Sequence, residues 1–182
     1  MPQRTTPSAS ATLASANGDL RLRSAHAVDL PFLEQVFVLA ADWNPATAKG
    51  ADHWMADPTM EKYLGTWRDG SDFGFVAESG SRPIGAVWMR YFAATDDSYG
   101  FVDERTPELT LGVQHGFRGL GAGRALLQAA QDAARGSLSL SVEDGNRAVR
   151  LYRSMRFEPV GRVGSSTTML WSPHRSSAKI SR

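Results

Sequence analysis

Apolar and polar positions change period several times along this chain, and each change marks an element. Leu20 and Leu22 alternate with Arg21 and Arg23, so Asp19–Ser24 predicts a first strand. From Leu30 to Ala41 the apolar positions Phe32, Val36, Leu39 and Ala40 predict a helix, started by an Asp29 cap with Pro31 in its first turn. Asn44-Pro45 ends it, and two short helical pieces follow near 47–55 and 59–66, the second opened by Asp57-Pro58. The β-rich runs 72–78 and 83–92 flank a Ser-Gly-Ser-Arg turn and predict an antiparallel hairpin. An acidic stretch, 95–106, reads as a long loop before a strand at Glu108–Val113. Ala122, Ala125, Leu126, Ala129, Ala130 and Ala133 line one face of the next helix, which Gly136 stops. Ser137–Val142 alternates strictly, as a strand does. Asn146 caps a helix whose buried side is Ala148, Val149, Tyr152 and Met155, and strands at 157–163 and 167–171 close the pattern.

The order β, helices, β-hairpin, β-α-β-α-β-β is that of one mixed α/β (α+β) domain over 19–172. Residues 1–18, rich in Ser, Ala, Thr and Pro, read as a disordered tail, and 173–182 as a frayed one. Trp43, Trp54, Tyr63 and Trp67 fall in the short-helix region. Their two readings are core and helix–helix packing, and the lining of an acceptor pocket by some of them.

Composition narrows the function. The formal net charge is +1, so nothing global argues for nucleic acid or an anionic membrane surface. There are no cysteines, which excludes a disulfide framework, a zinc–thiolate site and a cysteine nucleophile. No apolar run approaches the ~20 residues of a membrane span, and no signal-peptide pattern stands at the start, so a soluble cytoplasmic protein is expected. His26, His53, His115 and His174 lack acidic partners at ligand spacing, so no metal site is predicted.

The chemistry concentrates in Leu109–Leu127, where a strand runs into a loop with Gly116, Gly119, Gly121 and Gly123 and then a helix. Such a loop suits an anion, since glycines allow close approach and the helix's first amides lack partners. A nucleotide P-loop is excluded, because Ala122-Gly123 stand where Lys and Ser/Thr are needed. A dinucleotide fingerprint fits poorly: Gln114–Arg118 separate the strand from the first usable glycine, and too little chain follows for a doubly wound sheet.

Arg118-x-x-Gly121-x-Gly123 at a helix start resembles the coenzyme A-binding segment of the GNAT superfamily of N-acetyltransferases. Glu108–Val113 is similar to that family's central strand and Leu138–Val142 to the strand that splays from it. Asn146–Phe157 is similar to its Asn-x-x-Ala-x-x-Leu-Tyr…Phe helix. Two departures stand out: His115 replaces a usual proline and Arg156 a usual glycine.

The resemblance implies a mostly antiparallel sheet whose central parallel pair splays apart, flanked by helices. It implies acetyl-CoA as cosubstrate, with no metal, and direct transfer to a small-molecule or peptide amine. Amides over Arg118, Gly119, Gly121, Ala122, Gly123 and Arg124 would hold the pyrophosphate, and the edge of Leu111, Gly112 and Val113 the pantetheine. The Val113 amide would meet the thioester carbonyl, and Tyr152 would protonate the leaving thiolate. Asn146 would touch the coenzyme arm or act only as a helix cap, and Arg147, Arg150 and Arg153 offer further phosphate contacts. Glu108 is the first candidate for the base and Glu104 the second. A non-catalytic acyl-CoA sensor of the same fold is the rival reading. Many members of the family pair into homodimers, which leaves that assembly open here.

Overall fold

The computed structural model describes residues 20–65 and 73–173. The expected tail at 1–18, all but Pro173 of the one expected at 173–182, and Trp67 lie outside these residues. Seven strands form one sheet in the order β1-β2-β3-β4-β5-β7-β6. They are β1 (Leu20–Ser24), β2 (Phe73–Ser79), β3 (Arg82–Arg90), β4 (Glu108–Val113), β5 (Leu138–Glu143), β6 (Glu158–Val163) and β7 (Ser166–Trp171). Every neighbouring pair is antiparallel except β4–β5, which is parallel and touches in register only at Glu108 and Ser139. The expected mixed sheet with a splayed central pair is therefore present.

Helices cover both faces. α1 (Leu30–Ala41) lies on one, followed by α2 (Ala51–Ala56), α3 (Pro58–Met60) and a wide π-type turn, Glu61–Gly65. α4 (Ala122–Ala133) covers the other, burying Leu126, Leu127 and Ala130. β3 shows why its sequence is apolar without a break: Val87 and Met89 pack into the core under α4, Ala86 and Trp88 into the core under α1. α1 sits close on β4. A Cβ at Gly112 would come within 2.8 Å of Val36 Cγ1 and 3.0 Å of the Val36 carbonyl oxygen. Glycine there serves helix–sheet packing. Among the described residues no helix is long and apolar enough to cross a membrane.

Two boundaries differ from the pattern. α2 begins at Ala51 because Asp42 organises the preceding loop, accepting from the amides of Lys49 (3.0 Å) and Gly50 (2.8 Å) and from the Trp54 indole (2.8 Å). α5 (Val149–Ser154) is shorter than the apolar spacing suggested, since Asn146–Ala148 form a turn first. In that turn Asn146 Oδ1 accepts from the Ala148 amide at 2.9 Å.

The end of α5 is a Schellman cap. The amide of Arg156 donates to the Arg153 carbonyl and that of Phe157 to the Tyr152 carbonyl, both at 3.0 Å. Arg156 has φ 64°, the left-handed conformation in which a Cβ is strained. Phe157 is buried and its ring meets Tyr152 edge-on, centroids 6.1 Å apart. Arg156→Gly should therefore stabilise the protein by about 1 kcal/mol, read as a higher urea midpoint with an unchanged slope.

Candidate active site

Beyond the Glu108–Ser139 contact, β4 and β5 diverge and leave a cleft of about 1330 Å³. Its walls come from α1, the loop after it, β4, the glycine loop, the end of β5 and α5. Leu111, Gly112, Val113, Arg118, Gly119, Gly121, Gly123, Arg124, Asn146, Tyr152 and Glu108 all line it. Ala122 does not; its side chain is in the core and only its place at the head of α4 bears on the cleft. Glu104 is exposed and stands apart from the cleft.

At one end is the start of α4. Gly121 is its N-cap with φ 91°, and among the described residues no side chain caps the helix, so its first-turn amides have no capping partner. Gly119 also has a positive φ, 78°, and a Cβ at either residue would meet nothing within 4 Å. Backbone conformation, with open space beside it, accounts for these two glycines. Gly123 is different: a Cβ there would stand 3.2 Å from Leu151 Cδ2, so it lets α5 approach α4. The two arginines are engaged. Arg118 Nε donates to the Val113 carbonyl (3.0 Å), and Arg124 donates to Ser154 Oγ (2.9 Å) beside Met155 Sδ.

The strand edge follows from backbone alternation. Gln114 donates its amide toward β3, to the Ile84 carbonyl at 2.8 Å. Successive residues of a strand point their amides to opposite sides, so the Val113 N–H points into the splay. Its carbonyl points the same way and is the one Arg118 caps.

Tyr152 reaches the cleft from α5. Its side chain is buried, and burial pushes the hydroxyl pKa up to about 12, so it is protonated at neutral pH. Asn146 serves as a local cap and also lines the cleft; Arg147 lines it, whereas Arg150 and Arg153 are exposed outside it.

Glu108 lies where β4 and β5 still touch. It is 5% exposed, and burial raises its carboxyl pKa above the ordinary value, while Ser98, Tyr63 and the Gly100 amide pull the other way. Oε1 accepts from the Tyr63 hydroxyl at 2.9 Å; Oε2 is buried with no hydrogen-bond partner among the described residues. The loop that brings Ser98 and Gly100 here is the acidic one. Its charged side chains, Asp96, Asp97, Asp103 and Glu104, face solvent, and its uncharged Ser98 and Gly100 are buried against the base of the splay.

Several cleft residues carried no motif. Trp43 Nε1 donates to Glu143 Oε2 at 2.6 Å, joining the loop after α1 to the end of β5. Phe37, Trp54 and Tyr63 pack together, with Phe37 centroids 5.8 Å from Trp54 and 5.9 Å from Tyr63. Trp54 and Tyr63 thus pack against Phe37 and, with Trp43, also line the cleft. The run of aromatics among short helices was the available signal.

Residues 34–157 match the family described as Acetyltransferase (GNAT) family. The fold is similar to PaiA N-acetyltransferase from Thermoplasma acidophilum in complex with coenzyme A, with TM-score 0.65 at 16% identity over 85% of this chain and 99% of that one. YncA from Salmonella typhimurium, solved with its cofactor acetyl-CoA, gives TM-score 0.61 at 20% identity over 85% and 94%. Ribosomal-protein-alanine N-acetyltransferase from Brucella melitensis gives 0.57 at 25% identity over 84% and 99%. Comparison with curated protein sequences finds no match.

The raised pKa of Glu108 has a measurable consequence. Its contribution to stability is complete below the unfolded-state value, near 4.5, and is lost as pH rises through the raised folded-state value. Glu108→Gln removes that dependence. Urea unfolding at about pH 5 and about pH 8 should show wild type losing stability relative to Glu108→Gln at the higher pH. A constant difference would mean that Glu108 ionises as freely folded as unfolded.

Proposed function

The chain belongs to the GNAT family of acetyltransferases, and from that premise we propose that it is an N-acetyltransferase that moves the acetyl group of acetyl-CoA directly to an amine. The observation that carries this is the cleft: an uncapped helix start, an open strand edge, a protonated tyrosine and a buried carboxylate line one cavity. The positive-φ glycines with open space beside them fit a pyrophosphate, which accepts hydrogen bonds from backbone amides. The open edge of β4 at Leu111 and Val113 fits the amide groups of a pantetheine arm. Acetyl-CoA supplies an acetyl group activated as a thioester.

The protein's own groups do the rest. An alkylamine with pKa ~10 is almost wholly charged at neutral pH and must lose a proton before it attacks. Glu108 takes that proton, directly or through water. Its burial raises its proton affinity in the sense a base needs at neutral pH. The Val113 N–H faces the thioester carbonyl oxygen and stabilises the negative charge it gains. Tyr152 gives its proton to the departing thiolate and then recovers one from solvent or the acceptor's nitrogen. Transfer is direct, through a ternary complex, because no cysteine is available to carry the acetyl group. The acceptor, a small-molecule or peptide amine, enters past Trp43, Trp54, Thr59 and Tyr99.

Isothermal titration should show acetyl-CoA binding with Kd below about 1 mM, and heat release absent at that concentration would overturn the reading. A thiol-release assay over a panel of amines then identifies the acceptor; binding without release by any amine would favour the sensor reading. With that acceptor, Tyr152→Phe should lower kcat by roughly 10²-fold and leave the affinity for acetyl-CoA within about twofold.

A further inference from the structure

Tyr63 is not one of the transfer groups, yet it holds the base on two sides. It sits on the wide turn after α3 and is 5% exposed. Its hydroxyl donates to Glu108 Oε1 at 2.9 Å and accepts from the Tyr99 amide at 3.1 Å. Its backbone carbonyl accepts from the indole of the fully buried Trp88 at 3.2 Å, so the residue is fixed at both ends. Burial and the adjacent carboxylate push the phenol pKa far above neutral, which keeps it a donor.

We propose that Tyr63 is a positioning residue acting through Glu108: one hydroxyl latches both the turn after α3 and the Tyr99 loop onto the carboxyl group, so that the acceptor-side wall and the base form one unit. The inference rests on the reading of Glu108 as base. Oε2 has no partner among the described residues, and the phenol supplies Oε1 with a hydrogen bond that, with Ser98 and the Gly100 amide, offsets the burial of the carboxylate. Removing it should make Glu108 hold its proton more tightly. The charged groups around the carboxyl are Lys62, on the same turn, and Arg90, opposite Glu108 in the β3–β4 register. Lys62 Nζ donates to the Asp97 carbonyl at 3.1 Å and the Arg90 guanidinium to the Lys62 carbonyl. Ser98 on the loop and Ser139 on β5 are uncharged neighbours. Tyr63→Phe alters none of these groups chemically.

The test is the side-chain carboxyl ¹³C resonance of Glu108, titrated in the full chain between about pH 4 and pH 10 and assigned by its loss in Glu108→Gln. Tyr63→Phe should raise the midpoint by about one pH unit. Equal midpoints would overturn the proposal. Tyr63→3-fluorotyrosine keeps the packing and gives a stronger donor, so it should lower the midpoint; a rise or no change would count against the link, whether or not the phenylalanine variant folds. With the acceptor from the amine panel, the acid limb of kcat/KM should move by the same interval while KM for acetyl-CoA holds. A moved resonance with an unmoved acid limb supports the latch and removes Glu108 as the base.

Discussion

The separation of β4 and β5 governs this molecule. Two parallel strands that could have paired along their length meet only at Glu108 and Ser139. Past that point each strand leaves a row of backbone donors and acceptors without a strand partner, and polar backbone buried in that state is costly. The arrangement is stable because the rest of the fold supplies partners or openings. Arg118 caps the Val113 carbonyl, and the cleft leaves the remaining edge accessible. The same separation opens the cleft of about 1330 Å³.

Elements on both sides keep the strands apart. α1 is pressed onto β4 through Gly112, where no larger residue fits without moving Val36. On the other side α5 closes on the start of α4 through Gly123 and Leu151. The Ser98–Gly100 segment fills the base of the splay: a Cβ on Gly100 would stand 2.8 Å from both Glu108 Cδ and the Leu140 carbonyl carbon. Glu108 is thus the one ionisable residue of β4, buried by the sheet and lining the cleft. Burial there shifts its proton affinity, and Tyr63 and the loop bound how far. Electrostatics at this site is a by-product of strand geometry.

Much of the architecture was legible in order. The alternation in Leu20–Ser24 and Leu138–Val142, the one-sided apolar face of Ala122–Ala133 and the Gly-Ser hairpin each appear within a residue or two of expectation. These patterns are local, because each element must bury one face. The glycine loop was legible too, though its glycines divide the labour in a way spacing does not reveal. Gly119 and Gly121 are needed for backbone conformation and Gly123 for packing. Arg118 and Arg124 read as charges for a phosphate, and their side chains also hold the strand end and α5. A charged residue near a loop says nothing of which neighbour its long side chain will find.

By itself, then, the sequence determined the element order, the glycine loop over Arg118–Arg124 that opens a helix and the presence of Tyr152 on a helix beyond it. Those depend on periodicity and on short spacings along one stretch of chain. The tertiary structure alone decided that Glu108 is buried, that Glu104 is not near it, and that Tyr63, 45 residues upstream, donates to its carboxyl group. It also joined Trp43 to Glu143 across 100 positions. Such contacts arise where separate elements are packed against one another, and no local pattern encodes which side chains meet there. The strand before the glycine loop was recognisable as a strand; its parting from β5, on which the site depends, is a property of the whole sheet.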